Sequence, residues 1–286
     1  MINAHPVVSQ RQALQAARTL GLDRFDAQLL LLHALGRPDG DRAWLLAHDE
    51  DSLVDPVADV FRIFSLRRAA GEPLAYIVGY KDFFGLRFDV DARVLVPRPD
   101  TETLVQWALD MAKKAAPAMS LQVLDLGTGS GAIAVAIAKN LQTWRSSATV
   151  HAVDASAAAL SVAVGNARAL QANVQFIESH WFEKVSGHYH IIASNPPYIA
   201  SADPHLSALT HEPPEALTAG PDGLDDLRQI VAQAPAHLMP GGWLLLEHGY
   251  DQADAVRTLL TQRGFTRVQS RQDLAGIARC SGGQWP

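Results

Sequence analysis

The sequence predicts an α/β protein with an open, mostly parallel sheet and helices on both faces, preceded by a small N-terminal helical domain and a linking β-hairpin. Short apolar runs alternate with helical stretches in the last two thirds of the chain, as expected when helices join parallel strands. A glycine-rich turn follows the first of these runs, where such sheets bind ligands. The first 75 residues show helical apolar spacing instead.

The composition indicates a folded globular protein. Of the 286 residues, 48% are hydrophobic and 19% are charged, and no run of 18 apolar residues could span a membrane. The N-terminus lacks the apolar core and cleavage site of a secretory signal. A single cysteine, Cys280, excludes an intramolecular disulfide and fits a reducing compartment. We therefore expect a cytoplasmic protein that does not contact membranes. We also expect a monomer.

The net charge of −6 bears on the choice of partner. Proteins that bind long stretches of nucleic acid present basic surfaces, which release counterions on binding. An acidic protein would instead attract a basic protein partner. We expect no stable complex with nucleic acid.

Residues 1–75 are predicted to form the helical domain. One apolar stripe consists of Phe25, Leu29 and Leu32, and a second of Val57, Val60, Phe61 and Phe64. Glycine and proline at residues 36–40 and 71–73 end the helices. Residues 76–99 are predicted to form a hairpin and linker.

The hairpin prediction depends on alternation. Phe84, Leu86, Phe88 and Val90 alternate with other residues, which predicts a strand, and residues 94–96 are predicted to return beside it. Pro97 and Pro99 then prevent regular pairing, so a helix is predicted to begin near Asp100 or Thr101.

Residues 100–286 are predicted to form the α/β domain. Its parallel strands are expected at residues 123–126, 150–154, 174–177, 191–194 and 243–247. Helices are expected at residues 131–140, 156–170, 223–238 and 251–262. Residues 266–270 and 277–280 are predicted to close the sheet as a hairpin.

The glycine-rich turn predicts a nucleotide-like ligand. It consists of Gly127, Thr128, Gly129, Ser130 and Gly131, directly after Asp125-Leu126. Glycines allow the ligand to approach the backbone N–H groups. Asp154 ends the next strand, where a carboxylate can accept hydrogen bonds from both ribose hydroxyls. A dinucleotide and S-adenosylmethionine both fit, and the Gly-x-Gly-x-Gly spacing favours S-adenosylmethionine.

The segment Asn195-Pro196-Pro197-Tyr198 follows a predicted strand and is suited to methylation of a planar nitrogen. The lone pair of such a nitrogen is delocalised, so a site helps by accepting hydrogen bonds from its N–H groups. The Asn195 side-chain carbonyl and the Pro196 main-chain carbonyl can be these acceptors. The prolines stiffen the loop, and Tyr198 offers a ring face to an amide or a base. Catalysis would come from orientation and electrostatic positioning.

These motifs resemble the release-factor glutamine methyltransferases, the PrmC/HemK family, over nearly the whole chain. The similar segments are residues 71–73, 96–102, 125–131, 181–182, 195–198, 212–217 and 241–249. The combination of residues 96–102 with residues 195–198 is more specific than either segment alone. Two positions depart from the family pattern, since His180 replaces an acidic residue and His211 replaces an aromatic one.

The resemblance implies a class I S-adenosylmethionine-dependent methyltransferase fold, Rossmann-like, and transfer of a methyl group to N5 of the glutamine in the Gly-Gly-Gln motif of class-one peptide chain release factors. It implies that the helical domain helps to dock the release factor. The implied catalytic residues are Asn195, Pro196 and Tyr198. The implied substrate-binding residues are Asn195, Pro196, Pro197 and Tyr198. The implied cofactor-binding residues are Gly127, Thr128, Gly129, Ser130, Gly131, Asp154, Trp181 and Asn195.

Other functions remain as alternatives. Related enzymes methylate a glutamine of a large-subunit ribosomal protein, and Asn-Pro-Pro-Tyr also suits the exocyclic nitrogen of a nucleic-acid base. Enzymes of the second kind generally carry a basic recognition region, whereas residues 1–75 are slightly acidic. A non-catalytic cofactor-binding adaptor is a third alternative, which residues 195–198 disfavour.

Some residues have ordinary structural interpretations. His180, His188 and His190 lack a recognisable metal-ligand spacing, so no metal is expected. Asp222, Asp225 and Asp226 are interpreted as residues at the start of a helix. Arg98 and Glu102 either hold the linker over the cofactor pocket or pair with each other. Residues 282–284 spell the Gly-Gly-Gln substrate motif, which we attribute to chance, with self-methylation as the alternative hypothesis.

Overall fold

The computed structural model describes residues 8–115, 120–145 and 147–286. The chain forms two compact units, Met1–Gly79 and Tyr80–Pro286. Residues 1–7 of the predicted helical domain lie outside the described part. No helix among the described residues is long and apolar enough to cross a membrane.

The first unit is helical. Its helices are α1 (Gln10–Thr19), α2 (Arg24–Ala34), α3 (Arg42–Ala47), α4 (Asp55–Ala69) and α5 (Leu74–Val78). α1 begins with a capping box in which the Ser9 and Gln12 side chains accept each other's backbone N–H groups. Leu30, Leu31 and Leu32 of α2 are fully buried. The predicted apolar stripes were wrong at Phe25 and Val60, which are 48% and 38% exposed, and Phe25 lies beneath the Arg42 guanidinium.

The hairpin lies earlier than predicted. Its strands are β1 (Tyr80–Phe83) and β2 (Leu86–Asp89), joined by Phe84 and Gly85. Both turn residues have positive φ, 49° and 73°, as in the two-residue turns that match strand twist. The predicted strand through Phe84 and its return at residues 94–96 are therefore wrong, because the chain reverses at Phe84 and residues 94–96 are not a strand.

The second unit contains a seven-stranded sheet in the order β5-β4-β3-β6-β7-β9-β8. Its strands are β3 (Gln122–Leu126), β4 (Thr149–Asp154), β5 (Gln175–Glu178), β6 (Tyr189–Ser194), β7 (Leu238–Glu247), β8 (Thr266–Gln272) and β9 (Ala278–Gln284). β3 to β7 are parallel, whereas β9 runs antiparallel to both β7 and β8. From β3 the polypeptide continues to β4 and β5 on one side of β3, and it then crosses to β6 on the other side. The ends of β3 and β6 therefore meet at the switch point, where such sheets bind ligands.

Helices accompany this sheet. They are α6 (Glu102–Lys114), α7 (Ala132–Trp144), α8 (Ala157–Ala169), α9 (Asp225–Gln233) and α10 (Ala253–Arg263). The core includes Leu124, Ile192 and Leu244 from the central strands, all fully buried. The predicted helix at residues 223–238 is shorter, since α9 passes into a 3-10 turn at Ala234–His237 where Pro235 lacks the N–H group that a continuing helix needs.

The Gly-Gly-Gln sequence at residues 282–284 belongs to β9, which extends beyond the predicted end at residue 280. Gly282 and Gly283 are buried and pair with Leu245 and Leu244. A Cβ at Gly282 would lie 2.6 Å from the Leu244 carbonyl oxygen. The Gln284 side chain donates to the Gly241 carbonyl at 2.8 Å. These residues thus have a structural role in the sheet.

Candidate active site

The glycine-rich turn after β3 has the conformation that its sequence predicts. Gly127, Gly129 and Gly131 have φ of 71°, 55° and 83°, which residues with a Cβ rarely adopt. A Cβ at Gly127 would also lie 3.3 Å from the Trp181 ring, and one at Gly131 would lie 3.2 Å from Ala163 Cβ. Glycine is therefore needed for both backbone conformation and close packing.

Asp125 holds the turn from behind. Its Oδ2 accepts from the Thr128 hydroxyl at 2.6 Å and from the Ala134 N–H at 3.1 Å. Burial raises the pKa of Asp125 to about 7, and these hydrogen bonds oppose the rise. Thr128 and Ser130 are 5% and 3% exposed, and the Thr128 side chain supports the turn through its bond to Asp125.

Asp154 stands at the end of β4 and fixes the same turn from the neighbouring strand. One carboxylate oxygen accepts from the Gly129 N–H at 2.8 Å, and the other accepts from the Ser156 N–H at 2.9 Å. Burial raises the pKa of Asp154, and these hydrogen bonds oppose that rise. The carboxylate is therefore held in one orientation at the end of the strand.

A cavity of about 470 Å³ lies above these strand ends. It brings together five of the predicted cofactor-binding residues, namely Gly127, Gly129, Asp154, Trp181 and Asn195. Thr128, Ser130 and Gly131 do not line this cavity. Its other lining residues are Arg93, Val94, Leu95, Ala155, Ser156, Ala159, Ser179, His180, Pro197, Pro213, Glu215, Ala216 and Asp226.

Asp226 is a site residue that sequence reasoning missed. It lies in the first turn of α9, as interpreted, but its Oδ1 also accepts from the Trp181 indole N–H at 3.2 Å. Burial raises the pKa of Asp226, and this bond opposes the rise. Trp181 itself has a φ of 45°, so its backbone conformation and its side-chain partner together set the ring at the cavity wall. His180 also lines the cavity, and its half-exposed ring lies 3.6 Å from Glu183.

The Asn-Pro-Pro-Tyr segment leaves β6 beside the glycine-rich turn. The Ser194 hydroxyl donates to the Leu126 carbonyl at 2.7 Å and ties the ends of β6 and β3 together. Asn195 lines both the first cavity and a second one of about 360 Å³. The second cavity is also lined by Leu95, Arg98, Pro196, Tyr198, Ile199, Leu209, Ala216 and Leu217. Asn195 thus stands at the junction of two cavities.

The side chains of this segment have partners within the second unit. The Asn195 Nδ2 group donates to the Thr101 hydroxyl at 3.3 Å. The Tyr198 hydroxyl makes a long hydrogen bond, 3.5 Å, to Glu247 Oε1 at the end of β7. Burial and the charge of Glu247 raise the pKa of Tyr198, so its hydroxyl stays protonated and can donate. The Tyr198 carbonyl accepts from the Gln252 side chain at 3.0 Å.

Arg98 and Glu102 do not pair with each other. Arg98 pairs with Glu212, which is 4% exposed and also accepts from the Val96 N–H at 3.1 Å. Glu102 instead accepts from the Phe84 N–H at 2.9 Å in the hairpin turn. Arg98 therefore fastens the linker to the segment that contains Pro213 and Glu215 of the cavity wall. Sequence separation hid this partner, since Arg98 and Glu212 are 114 residues apart.

No group of three or more histidine, cysteine, aspartate or glutamate side chains in the described part of the chain could hold a metal ion. His190 has a structural partner, because its Nδ1 accepts from the Gln122 N–H at 3.0 Å. Neither His188 nor His190 lines the two cavities.

The sheet order and the glycine-rich turn beside Asn-Pro-Pro-Tyr define a class I, Rossmann-like methyltransferase. Family models agree: the Methyltransferase small domain matches residues 108–221 and the PrmC N-terminal domain matches residues 9–79. The chain belongs to the release factor glutamine methyltransferase family. The family member from Xylella fastidiosa strain Temecula1 is 49% identical, over 96% of this chain and 98% of its own. The one from Bordetella pertussis strain Tohama I is also 49% identical, over 92% and 95%.

Solved structures show the same fold at low sequence identity. The N-terminal domain of human METTL16 in complex with SAH aligns with a TM-score of 0.51 and 16% identity, covering 81% of this chain and 83% of that one. A methyltransferase from Pyrococcus furiosus aligns with a TM-score of 0.51 and 18% identity, covering 76% and 97%. These likenesses support the fold.

Proposed function

We propose that this protein transfers a methyl group from S-adenosylmethionine to the N5 side-chain nitrogen of the glutamine in the Gly-Gly-Gln motif of class-one release factors. The observation that carries the proposal is the position of Asn195 between a cavity at the glycine-rich turn and a second cavity lined by Pro196 and Tyr198. Membership of the release factor glutamine methyltransferase family supports the substrate. We further propose that the reaction takes place in the cytoplasm and serves translation termination.

The first cavity fits S-adenosylmethionine. A Cβ at Gly127 would intrude between the turn and the Trp181 ring, so the glycine keeps a close approach to the backbone open. Asp154 keeps acceptor capacity for ribose hydroxyls beyond its bonds to backbone N–H groups, because a carboxylate has about four lone-pair sites. The Trp181 ring supplies an apolar wall. Bound there, the sulfonium supplies an electrophilic methyl group and leaves as a neutral thioether.

The protein's part in the reaction is to orient the amide nitrogen. The Asn195 side-chain carbonyl and the Pro196 main-chain carbonyl would accept its two N–H groups, and Tyr198 would pack against the amide plane. The amide nitrogen would form its bond to the methyl carbon as the carbon–sulfur bond breaks, and it would then lose one proton to water. No strong base is needed for that loss, since the nitrogen carries a positive charge until the proton leaves and a cationic amide nitrogen is very acidic. Orientation therefore accounts for most of the expected rate.

The helical unit, Met1–Gly79, is proposed to dock the release factor. Its match to the PrmC N-terminal domain over residues 9–79 supports this role. Its acidic residues would favour a basic partner by electrostatic steering.

The substrate is tested with S-adenosylmethionine that carries a labelled methyl group. The acceptors are a class-one release factor, large-subunit ribosomal proteins and RNA, each in a separate reaction. We expect label on the release factor and none when its Gly-Gly-Gln glutamine is replaced by alanine. Label on a ribosomal protein or RNA without label on the release factor would overturn the proposal.

Asn195→Ala tests the orientation step. The change removes one acceptor and leaves a substrate N–H unmatched, so single-turnover transfer should slow by about 100-fold or more. Release-factor affinity should change less, because a protein interface includes many other contacts. A modest loss of cofactor affinity is removed by working at saturating concentrations. A rate within a few-fold of the wild type would show that Asn195 does not orient the nitrogen.

A further inference from the structure

A buried carboxylate lies directly behind the Asn-Pro-Pro-Tyr segment and is not used by the methyl transfer described above. Glu247 ends β7, whose residue Leu246 pairs with Ser194 at the end of β6. Glu247 is 1% exposed, so its side chain is buried. Its Oε2 has no hydrogen-bond partner among the described residues. Because a buried carboxylate with one oxygen unpaired is destabilising, such a residue calls for a functional explanation.

Thr101 connects Glu247 to Asn195. It lies at the start of α6, is 4% exposed, and its hydroxyl accepts from Asn195 Nδ2 at 3.3 Å. The same hydroxyl lies close enough to Glu247 to stabilise its charged form and so to lower its pKa. Glu247, Thr101 and Asn195 therefore form a continuous row of polar side chains from the end of β7 to the junction of the two cavities.

The carboxylate of Glu247 determines which group donates and which accepts along this row of side chains. An ionised carboxylate can only accept, and a hydroxyl has a single proton to donate. If the Thr101 hydroxyl donates its proton to Glu247, the Thr101 oxygen can only accept from Asn195. The Asn195 side chain must then turn its NH₂ group towards Thr101. The carbonyl at the other end of the Asn195 amide then points away from Thr101 and remains available to accept.

We propose that Glu247, acting through Thr101, fixes the Asn195 amide so that its carbonyl faces the substrate nitrogen. Glu247 and Thr101 are thus positioning residues, and this assignment rests on the proposed methylation of an amide. A flipped Asn195 would present NH₂ donors to an NH₂ substrate, which would abolish the acceptor that the reaction needs. Tyr198, which donates to the same carboxylate, is positioned by it as well.

The proposed hydrogen bonds from Glu247 through Thr101 to Asn195, called the relay below, should make activity depend on pH. Burial raises the pKa of Glu247 to about 7, the nearby charge of Asp100 adds to the rise, and Arg279, Thr101 and Tyr198 oppose it. Arg279 forms ion pairs with Asp273 at 3.0 Å and with Asp100 at 3.2 Å, so its charge is shared. Below pH 7 a protonated Glu247 can donate to Thr101. The Thr101 hydroxyl can then donate to the Asn195 carbonyl, which reverses the direction of the hydrogen bonds. The active form is the ionised one, so the rate should fall as pH drops through about 7.

Other titratable groups lie near Glu247. Cys280 pairs with Glu247 across β9 and β7, and burial keeps its pKa high, so it stays neutral in this range. Tyr198 stays protonated because burial raises its pKa. Burial also raises the pKa of Asp125 to about 7. A loss of activity below pH 7 in the wild type alone would therefore not show which of the two carboxylates causes it. The comparison with a Glu247 variant separates the two groups.

The test compares Thr101→Val with Thr101→Ser and adds Glu247→Gln. Valine is close to threonine in shape but lacks the hydroxyl, whereas serine keeps it. Single-turnover transfer to a release factor is measured at saturating cofactor from pH 6 to 8.5, with cofactor affinity by calorimetry and folding by thermal melting. We expect Thr101→Val to slow transfer by roughly 10-fold or more. Thr101→Ser should remain within about 3-fold, and cofactor affinity should stay within about 3-fold in all variants. Glu247→Gln should transfer the methyl group slowly, and its rate should no longer fall as pH drops below 7.

A second measurement does not depend on the substrate. With ¹⁵N-labelled asparagine, the Asn195 side-chain NH₂ resonances of the wild type should titrate near pH 7. Glu247→Gln should abolish that titration, and Thr101→Val but not Thr101→Ser should displace the resonances. A titration that persists in Glu247→Gln, or a Thr101→Val variant as fast as Thr101→Ser, would overturn the relay. A wild type that methylates no release factor would overturn the proposed function, while these resonances would still decide the relay.

Discussion

At the scale of single residues, Asp154 connects two parts of the site. Its carboxylate accepts from Gly129 of the turn and from Ser156 after β4, and it lines the larger cavity. The same group is therefore in a position to fix the turn and to bind ribose hydroxyls. Loss of the carboxylate should affect the binding of cofactor before it affects the transfer itself.

Replacing Asp154 with alanine should weaken S-adenosylmethionine binding by roughly 10- to 100-fold, the effect of losing about 1.5–3 kcal/mol of charge-assisted hydrogen bonding. The proposed ribose contacts persist from the ground state to the transition state, so transfer at saturating cofactor should slow much less. Asp154→Asn, which keeps one acceptor oxygen, is the matched control and should be intermediate. Equal affinity of Asp154→Ala and wild type by calorimetry would remove Asp154 from the site.

The sequence predicted those site residues that directly follow strands or lie in recognisable motifs. Asp154 and Asn195 follow β4 and β6, and parallel strands bring their carboxyl ends to one edge. Asp226, Thr101 and Glu247 were not predicted, because their side-chain partners come from distant parts of the chain. One signal was available for Glu247, since an acidic residue that ends the apolar run at residues 243–246 is seldom buried without a reason.

At the scale of elements, the hairpin shows how a local conformation can override an alternating pattern. Alternation of Phe84, Leu86 and Phe88 predicted a continuous strand, but Phe84 adopts a positive φ of 49°. An aromatic residue seldom adopts this conformation, so its identity did not indicate a turn. Gly85 was the signal that could have placed the reversal. Strands β3, β4 and β5 lacked this ambiguity, because the long helices α7 and α8 separate them.

β9 provides a test of why glycine occurs at residue 282. In Gly282→Ala the new Cβ would lie 2.6 Å from the Leu244 carbonyl oxygen and 2.8 Å from Leu245 Cδ2. The strand must shift, so the free energy of unfolding should fall by roughly 1–3 kcal/mol. The matched control is Gly165→Ala in α8, where a Cβ meets nothing within 4 Å and should stabilise by about 0.5–1 kcal/mol. Denaturant unfolding of both variants measures the difference, and an unaffected Gly282→Ala would contradict the packing argument.

At the scale of the whole molecule, the chain has two units with separate cores. The second unit contains the complete sheet, the glycine-rich turn and the Asn-Pro-Pro-Tyr segment, and both cavities of the site are lined by its residues alone. The first unit has its own buried leucines in α2. Cofactor binding and recognition of a large protein substrate can therefore be separated by experiment.

Removing residues 1–79 tests this separation. The remaining unit, Tyr80–Pro286, retains the whole sheet and should bind S-adenosylmethionine within about 3-fold of the full chain, since none of the proposed cofactor contacts is lost. It should methylate an intact release factor with kcat/KM reduced by at least about 10-fold, because the proposed docking surface is gone. Thermal melting and calorimetry establish that the fragment is folded and competent for binding. If such a fragment retains the full kcat/KM on the intact release factor, the helical unit does not dock the substrate.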